Sequence, residues 1–144
     1  MAKVRDVILV KGRTVYDIPR SATVYEAIEK MVACNVGALV VTNDGMPCGI
    51  VTERDYLRRV ALEGRTSRNT RVEEIMSTNL GAVGRETDLE KCMEMMTAKR
   101  IRHLVVIEGG QLAGIVSIGD IVKWFVRERE EQVYSLTNYI YGRA

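Results

Sequence analysis

A seven-residue stretch occurs twice in this chain. Gly49-Ile50-Val51-Thr52-Glu53-Arg54-Asp55 returns as Gly114-Ile115-Val116-Ser117-Ile118-Gly119-Asp120, an offset of 65 positions. The same offset sets Leu39-Val40-Val41 against Leu104-Val105-Val106 and Gly45 against Gly110. Upstream, Arg20, Glu29, Met31 and Ala33 match Arg85, Glu94, Met96 and Ala98. The register runs from about Val15 to Leu57 against Leu80 to Val122, and before that it slips by three, so that Val4-Arg5-Asp6-Val7 faces Val72-Glu73-Glu74-Ile75. An internal repeat of this kind means one supersecondary unit used twice. A half of roughly 60 residues is marginal alone. The two halves must therefore share a core, and a hydrophobic fraction of 47% supplies one.

Each half reads as short helix, strand, helix, strand, turn, strand, helix. Val4 to Leu9 forms a short amphipathic helix or turn, broken at Gly12-Arg13. Thr14 to Ile18 alternates apolar and polar residues like a half-buried strand, which Pro19 ends. Thr23 with Glu26 is a capping box that opens a helix, and Ala27, Ile28, Met31 and Val32 give that helix an apolar stripe. Asn35 and Gly37 bracket its exit. Gly37 to Thr42 is continuously apolar, as a fully buried strand is. Asn43-Asp44-Gly45 turns the chain into a partner strand, Met46 to Val51. A helix follows from Glu53 to about Leu62, and the polar stretch Arg65 to Thr70 reads as a solvated linker. In the second half the helix from Asp88 to Lys99 carries Met93, Met95 and Met96, an adaptable packing stripe.

The repeated motif supports two readings. In the first, Thr52 or Ser117 is a helix N-cap and Asp55 or Asp120 reaches back from the third position. In the second, the hydroxyl and the free N–H groups of a helix start meet a phosphate, and the carboxylate accepts hydrogen bonds from both hydroxyls of a ribose. Duplication at fixed spacing strengthens the second reading, and both stay open.

Both Gly-Ile-Val-(Thr/Ser)-x-x-Asp stretches, the Gly37-Ala38-Leu39-Val40-Val41 and His103-Leu104-Val105-Val106 strands, and Val72-Glu73-Glu74-Ile75-Met76 together resemble a tandem pair of cystathionine-β-synthase-type (CBS) domains, a Bateman module. The wording Thr52-Glu53-Arg54-Asp55-Tyr56, with Arg100-Ile101-Arg102-His103, is similar to small stand-alone CBS-pair proteins of bacteria and plant organelles. The resemblance implies an α/β (α+β) fold. Two β-α-β-β-α repeats, residues 3–64 and 72–132, would pack with pseudo-twofold symmetry around a linker at 65–71, with a C-terminal aromatic tail at 133–144. It also implies two clefts that bind adenine nucleotides (AMP, ADP or ATP) as regulatory ligands. Asp55 and Asp120 would hold ribose hydroxyls, and Thr52 and Ser117 would meet phosphate. Adenine would lie near Tyr16 and Ile18 or near Gly81 and Val83, with Gly37-Ala38 and Arg102-His103 lining the clefts. Arg54 faces Gly119 across the repeat, and Arg102-His103 faces Gly37-Ala38, so the phosphate-attracting side chains are split between the halves. A phosphate reaching across the pseudo-twofold axis would meet Arg54, Arg102 and His103 together, with Arg offering its planar fork to phosphate oxygens.

Other classes find little support. The charge is +2, from 21 basic and 19 acidic residues, which gives no general drive toward nucleic acid or anionic membrane. The cluster Arg65, Arg68, Arg71, Lys99, Arg100 and Arg102 is the only feature that speaks for RNA. No apolar run reaches the length of a membrane span. Met1 to Asp6 lacks the apolar region of a signal peptide. Cys34, Cys48 and Cys92 form no metal-type pair and their odd count fits a reducing compartment. The expected location is thus cytoplasmic, or a plant organelle after removal of a transit peptide. One histidine without a paired nucleophile makes no catalytic set, and no metal site or required cofactor is expected. The reading is a non-catalytic sensor that passes its signal to a partner protein. The competing reading is a protein-interaction regulator with empty or secondary clefts; plant relatives regulate the thioredoxin system, which makes thioredoxin a candidate partner by resemblance. The resemblance also implies a homodimer that stacks through the helices that follow the Asp motifs and those that open each repeat, here including Tyr56-Leu57 and Trp124-Phe125. The tail from Val133 to Tyr141 is apolar again after the charged run Arg127 to Glu131, and it must dock either on its own module or on another chain.

Overall fold

The computed structural model describes residues 1–12 and 14–140. Two three-stranded sheets are built on one plan. In the first, β1 (Asp17–Pro19) runs parallel to β2 (Ala38–Asn43), and β2 pairs antiparallel with β3 (Met46–Thr52). In the second, β4 (Gly81–Val83), β5 (His103–Glu108) and β6 (Gln111–Ser117) repeat that order and register. Both hairpins carry the same irregularity, between Val41 and Thr42 and between Val106 and Ile107. Each two-residue loop needs positive φ at both positions to match strand twist. Asp44-Gly45 supplies φ of 52° and 80°, and Gly109-Gly110 supplies 58° and 76°.

The helices are α1 (Val4–Lys11), α2 (Val24–Cys34), α3 (Glu53–Tyr56), α4 (Val72–Ile75), α5 (Leu89–Lys99) and α6 (Ile118–Ile140). The α2 helix starts as the sequence suggests: Thr23 Oγ1 accepts from Glu26 N at 3.1 Å. At its end Asn35 is left-handed, with φ of 54°. Arg100 occupies the same position after α5, with φ of 55°. A long cationic side chain in that conformation costs about 1 kcal/mol, because its Cβ crowds the carbonyl.

Two hydrophobic cores form, and the opening helices are exchanged between them. Val4, Val7 and Ile8 of α1 pack with Leu89, Cys92, Met96, Leu104 and Ile121 of the second half. Val72 and Ile75 of α4 pack with Val24, Ala27, Met31 and Leu39 of the first. Backbone pairs fix the exchange. Val4 N donates to Thr87 O and Leu89 N to Ala2 O, while Val24 N donates to Thr70 O and Val72 N to Ala22 O. Neither half closes its own core, which is the physical content of the shared core.

Four local expectations change. The first strand starts at Asp17 rather than Thr14, and Arg13 lies outside the described residues. The helix after Thr52 is α-helical only to Tyr56 and continues as a π-helical stretch, Leu57–Ala61. The linker is solvated as expected, with Arg65, Thr66, Arg68 and Asn69 exposed, but it is not loose. Ser67–Asn69 is a 3-10 turn, Thr70 is buried, and Arg71 bridges to Thr23. The tail is no separate element either. It continues α6 to Ile140, and Val133, Tyr134, Leu136, Tyr139 and Ile140 are all exposed, so it does not dock on its own module; Tyr141 lies outside the described residues.

Candidate functional site

The start of α3 is fixed by the strands that flank it. Glu53 N donates to Gly37 O at 3.0 Å, and Ile118 N donates to Arg102 O at 2.9 Å in the equivalent place. Each repeated motif therefore sits beside the opening residues of the central strand. Both motifs form the expected cap. Asp55 Oδ2 accepts from Thr52 N at 2.9 Å and from Thr52 Oγ1 at 3.1 Å, and Thr52 Oγ1 accepts from Asp55 N. Asp120 Oδ2 accepts from Ser117 N at 2.8 Å, and Ser117 Oγ accepts from Asp120 N.

The two copies then part company. Thr52, Arg54 and Asp55 open onto a cleft of about 600 Å³, within the size range of small-molecule sites. Gly37 and Ala38 line it from β2, and Arg100, Arg102 and His103 line it from the other half. Among the described residues, none of the three guanidiniums is paired with a carboxylate. Asp55 Oδ1 makes no hydrogen bond among the described residues, so the carboxylate serves as a cap through Oδ2 and keeps a second acceptor in a residue that lines the cleft. Glu53, Ser77 and Asn79 complete the wall.

At the second copy an internal cation has taken the carboxylate. Lys11, the last residue of α1, sets its Nζ 2.6 Å from Asp120 Oδ2 and 2.9 Å from Ile115 O. Burial alone would raise the Asp120 carboxyl, but the Lys11 ammonium and the Ser117 N–H outweigh it and hold the carboxyl below its ordinary range. The space beside Asp120 is only about 210 Å³, closed by α1 and by Trp124.

His103 stands between the two places. It lines the open cleft, and it also feels Lys11 and Asp120. Burial pushes its imidazole below the usual range, the charges of Lys11 and Arg102 add to that, and Asp120 opposes it.

Of the residues singled out in the sequence, Thr52, Arg54, Asp55, Gly37, Ala38, Arg102 and His103 converge on one cleft. Ser117 and Asp120 lie at the Lys11 contact instead. Ile18 and Val83 belong to the two cores, Gly81 is sealed against Leu104, and Tyr16 is outside the lining of the open cleft. These four positions do not offer side chains to a ligand there. Sequence reasoning missed Lys11, Ser77 and Asn79 as site residues and gave Arg100 no cleft role. The three-residue slip at the repeat start carried the signal, because it sets Lys11 opposite Asn79.

A family model for the CBS domain matches residues 4–62 and 72–127. The chain belongs to the CBS-domain family. Members are generally regulatory modules, commonly nucleotide-binding, and no enzyme family is indicated. This CBS pair is 45% identical over 125 residues to the mitochondrial CBS domain-containing protein CBSX3 of Arabidopsis thaliana, covering 83% of the chain and 61% of that protein. It therefore spans less than two thirds of that relative. A CBS-domain containing protein from Agrobacterium tumefaciens superposes with a TM-score of 0.78 at 40% identity, over 85% of the chain and 98% of that structure. A hexameric CBS-CP12 protein from bloom-forming cyanobacteria superposes with a TM-score of 0.75 at 32% identity, over 85% of the chain and 70% of that structure. No helix among the described residues is long and apolar enough to cross a membrane.

Proposed function

We propose that this CBS pair is a non-catalytic sensor that binds one adenosine-type nucleotide (AMP, ADP or ATP) in the open cleft and signals to a partner protein. One observation carries the reading: Asp55, a carboxylate with one oxygen free of hydrogen bonds among the described residues, shares a cleft of about 600 Å³ with three guanidiniums from both halves that pair with no described carboxylate. Ribose hydroxyls donate to Asp55. The phosphates take Arg54, Arg102 and Arg100, whose charge is worth most in a partly enclosed site. Because these groups come from both repeats, an occupied cleft ties the halves together, and only that differential affinity can shift their arrangement.

Calorimetric titration of nucleotide-stripped protein with AMP, ADP and ATP tests this. A hydrogen bond to a charged group contributes about 1.5–3 kcal/mol, so Asp55→Ala weakens binding by about ten- to a hundredfold. Absence of heat with all three nucleotides, or unchanged affinity in Asp55→Ala, overturns the assignment.

The apolar groove beside α2 and α3 favours a second reading, that the module works mainly by touching other proteins. Ile28, Val32 and Leu57 line a groove of about 530 Å³, and Val32 and Leu57 are exposed. Homodimerisation through this face, or capture of a partner such as thioredoxin, is the form that reading takes. A monomeric mass by light scattering, with no thioredoxin binding in a titration, removes it.

A further inference from the structure

Helix α6 outruns the module it belongs to. It has 23 residues, and Ile121 is its one buried residue. Ile118, Trp124 and Phe125 pack against the second core. From Arg127 to Ile140 every described side chain is exposed except Asn138. A stretch of about 14 residues with no tertiary support is marginal as a helix in water. Its apolar residues are nevertheless not scattered. Val122, Val126, Val133, Leu136 and Ile140 follow spacings of four and three once Arg129 is counted between Val126 and Val133, and the five apolar side chains are 50–73% exposed. At about 100° per residue all six positions fall within about 40° of one line along the helix. That line lies on a different face from buried Ile121.

We propose that this seam pairs with the α6 seam of a second copy of the chain as a short parallel two-stranded coiled coil. In heptad terms Val126, Val133 and Ile140 occupy a, and Val122, Arg129 and Leu136 occupy d. β-branched residues at a favour two parallel strands. The interruption at Arg129 is matched by charge. In a parallel pair the e position of one helix borders the d position of the other, and here e is Glu130. Each Arg129 thus meets the partner copy's carboxylate, twice by symmetry. Such a twofold pair sets each seam residue against its own counterpart. The inference stands apart from the nucleotide cleft and from the α2–α3 groove, since it uses neither surface.

Cysteine cross-linking of the full chain tests it. Leu136→Cys puts a thiol at d, beside its counterpart in a parallel pair. Ser135→Cys puts one at an outward position one residue away. Under mild oxidation, Leu136→Cys forms a covalent dimer in high yield and Ser135→Cys gives at least tenfold less at equal times. Equal yields, or no dimer from Leu136→Cys, overturn the proposal. A dimer formed only through the α2–α3 faces gives that negative result, as does an antiparallel pair. Sedimentation equilibrium adds a measurement in the protein without new thiols. Arg129→Leu removes the charged d layer and tightens self-association at least tenfold, whereas Glu130→Lys weakens it. An unchanged dissociation constant in both variants counts against the seam.

Discussion

Replacing Lys11 with methionine keeps the length and apolar stem of the side chain and removes only the ammonium that holds Asp120. A hydrogen bond to a charged group contributes about 1.5–3 kcal/mol when buried, and an exposed ion pair about 0.2–1 kcal/mol. The Lys11 and Asp120 side chains are 31% and 18% exposed. Solvent screening therefore places the contact between these classes, at about 1–2 kcal/mol. For a chain of this size that is a fall in Tm of about 3–8 °C. The pH dependence follows from the carboxylate. The Asp120 carboxyl is depressed in the folded protein, so its contribution is fully present above its unfolded value of about 3.9 and is lost as pH falls through the lower folded value. His103 acts in the same sense, because Lys11 is one of the charges that hold it neutral. The difference between wild type and Lys11→Met is therefore largest at pH 7–8, narrows below the ordinary histidine range, and closes in acid. Urea unfolding followed by circular dichroism at pH 8, 5 and 3 measures it. Calorimetry of the same proteins reads the functional side, with one nucleotide per chain in both, because α1 and Trp124 still close the space beside Asp120 when the ammonium is gone. Unchanged stability at pH 7, or a deficit that does not narrow as pH falls from 8 to 3, refutes the energetic argument. A stoichiometry of two in the variant refutes α1 and Trp124 as the groups that close the second site.

Two further outcomes follow from particular contacts. Phosphate beside His103 favours its imidazolium, which burial, Lys11 and Arg102 disfavour in the free protein. Nucleotide affinity therefore rises as pH falls from 8 to 6, by up to about tenfold for each unit that binding raises the imidazole, and His103→Gln flattens the profile in calorimetric titrations. The same small substitution has unequal costs at equivalent glycines. A Cβ at Gly49 would lie 2.7 Å from Met76 Sδ and 2.8 Å from Ser77 O, which accepts from Ile50 N while Ser77 N donates back to Ile50 O. A Cβ at Gly114 would be tight only against the end of the Ile8 side chain, at 3.0 Å, with Val106 at an ordinary 3.7 Å. Gly49→Ala loses about 2–3 kcal/mol and Gly114→Ala about 1 kcal/mol or less by chemical denaturation, and equal losses contradict this account of the packing.

The repeat made the fold legible, because a unit that cannot close its own core states both the element order and the need for a partner half. The central hairpins were readable down to their turns, since Asn-Asp-Gly and Gly-Gly leave the backbone few choices. The capping roles of Thr52 and Asp55 were readable from three-residue spacing alone. What lay beyond the sequence was long-range. Neither Lys11 nor Asn79 belongs to the repeated motif, and each reaches its site only because the opening helices cross to the other core. Ile18 and Val83 were placed near a ligand because they sit on the first strands, but alternation along a three-residue strand turned both toward the core. The open state of the tail was hidden for a related reason. An apolar stripe announces that something covers it, but not which molecule does.

The inequality of the two sites traces to where each opening helix stops. The α4 helix ends at Ile75, and the chain then runs extended, with Ser77 paired to Ile50 on β3. That path leaves the short side chain of Asn79 at the wall of the cleft. The α1 helix has eight residues and carries on to Lys11. Its last turn brings an ammonium to the carboxylate that matches Asp55. A nucleotide at Asp120 would have to displace that internal cation and open the end of α1, whereas a nucleotide at Asp55 finds its acceptor already exposed. The second carboxylate thus has an internal cation, while Asp55 keeps an oxygen with no hydrogen bond among the described residues, to which ribose hydroxyls donate on the proposed function. His103 lines the first site and also feels the charges of Lys11 and Asp120 at the second. A module with two equal sites would report only total occupancy. On the proposed function, a phosphate in the first site meets the same imidazole that feels Lys11, so its binding bears on how firmly α1 is held.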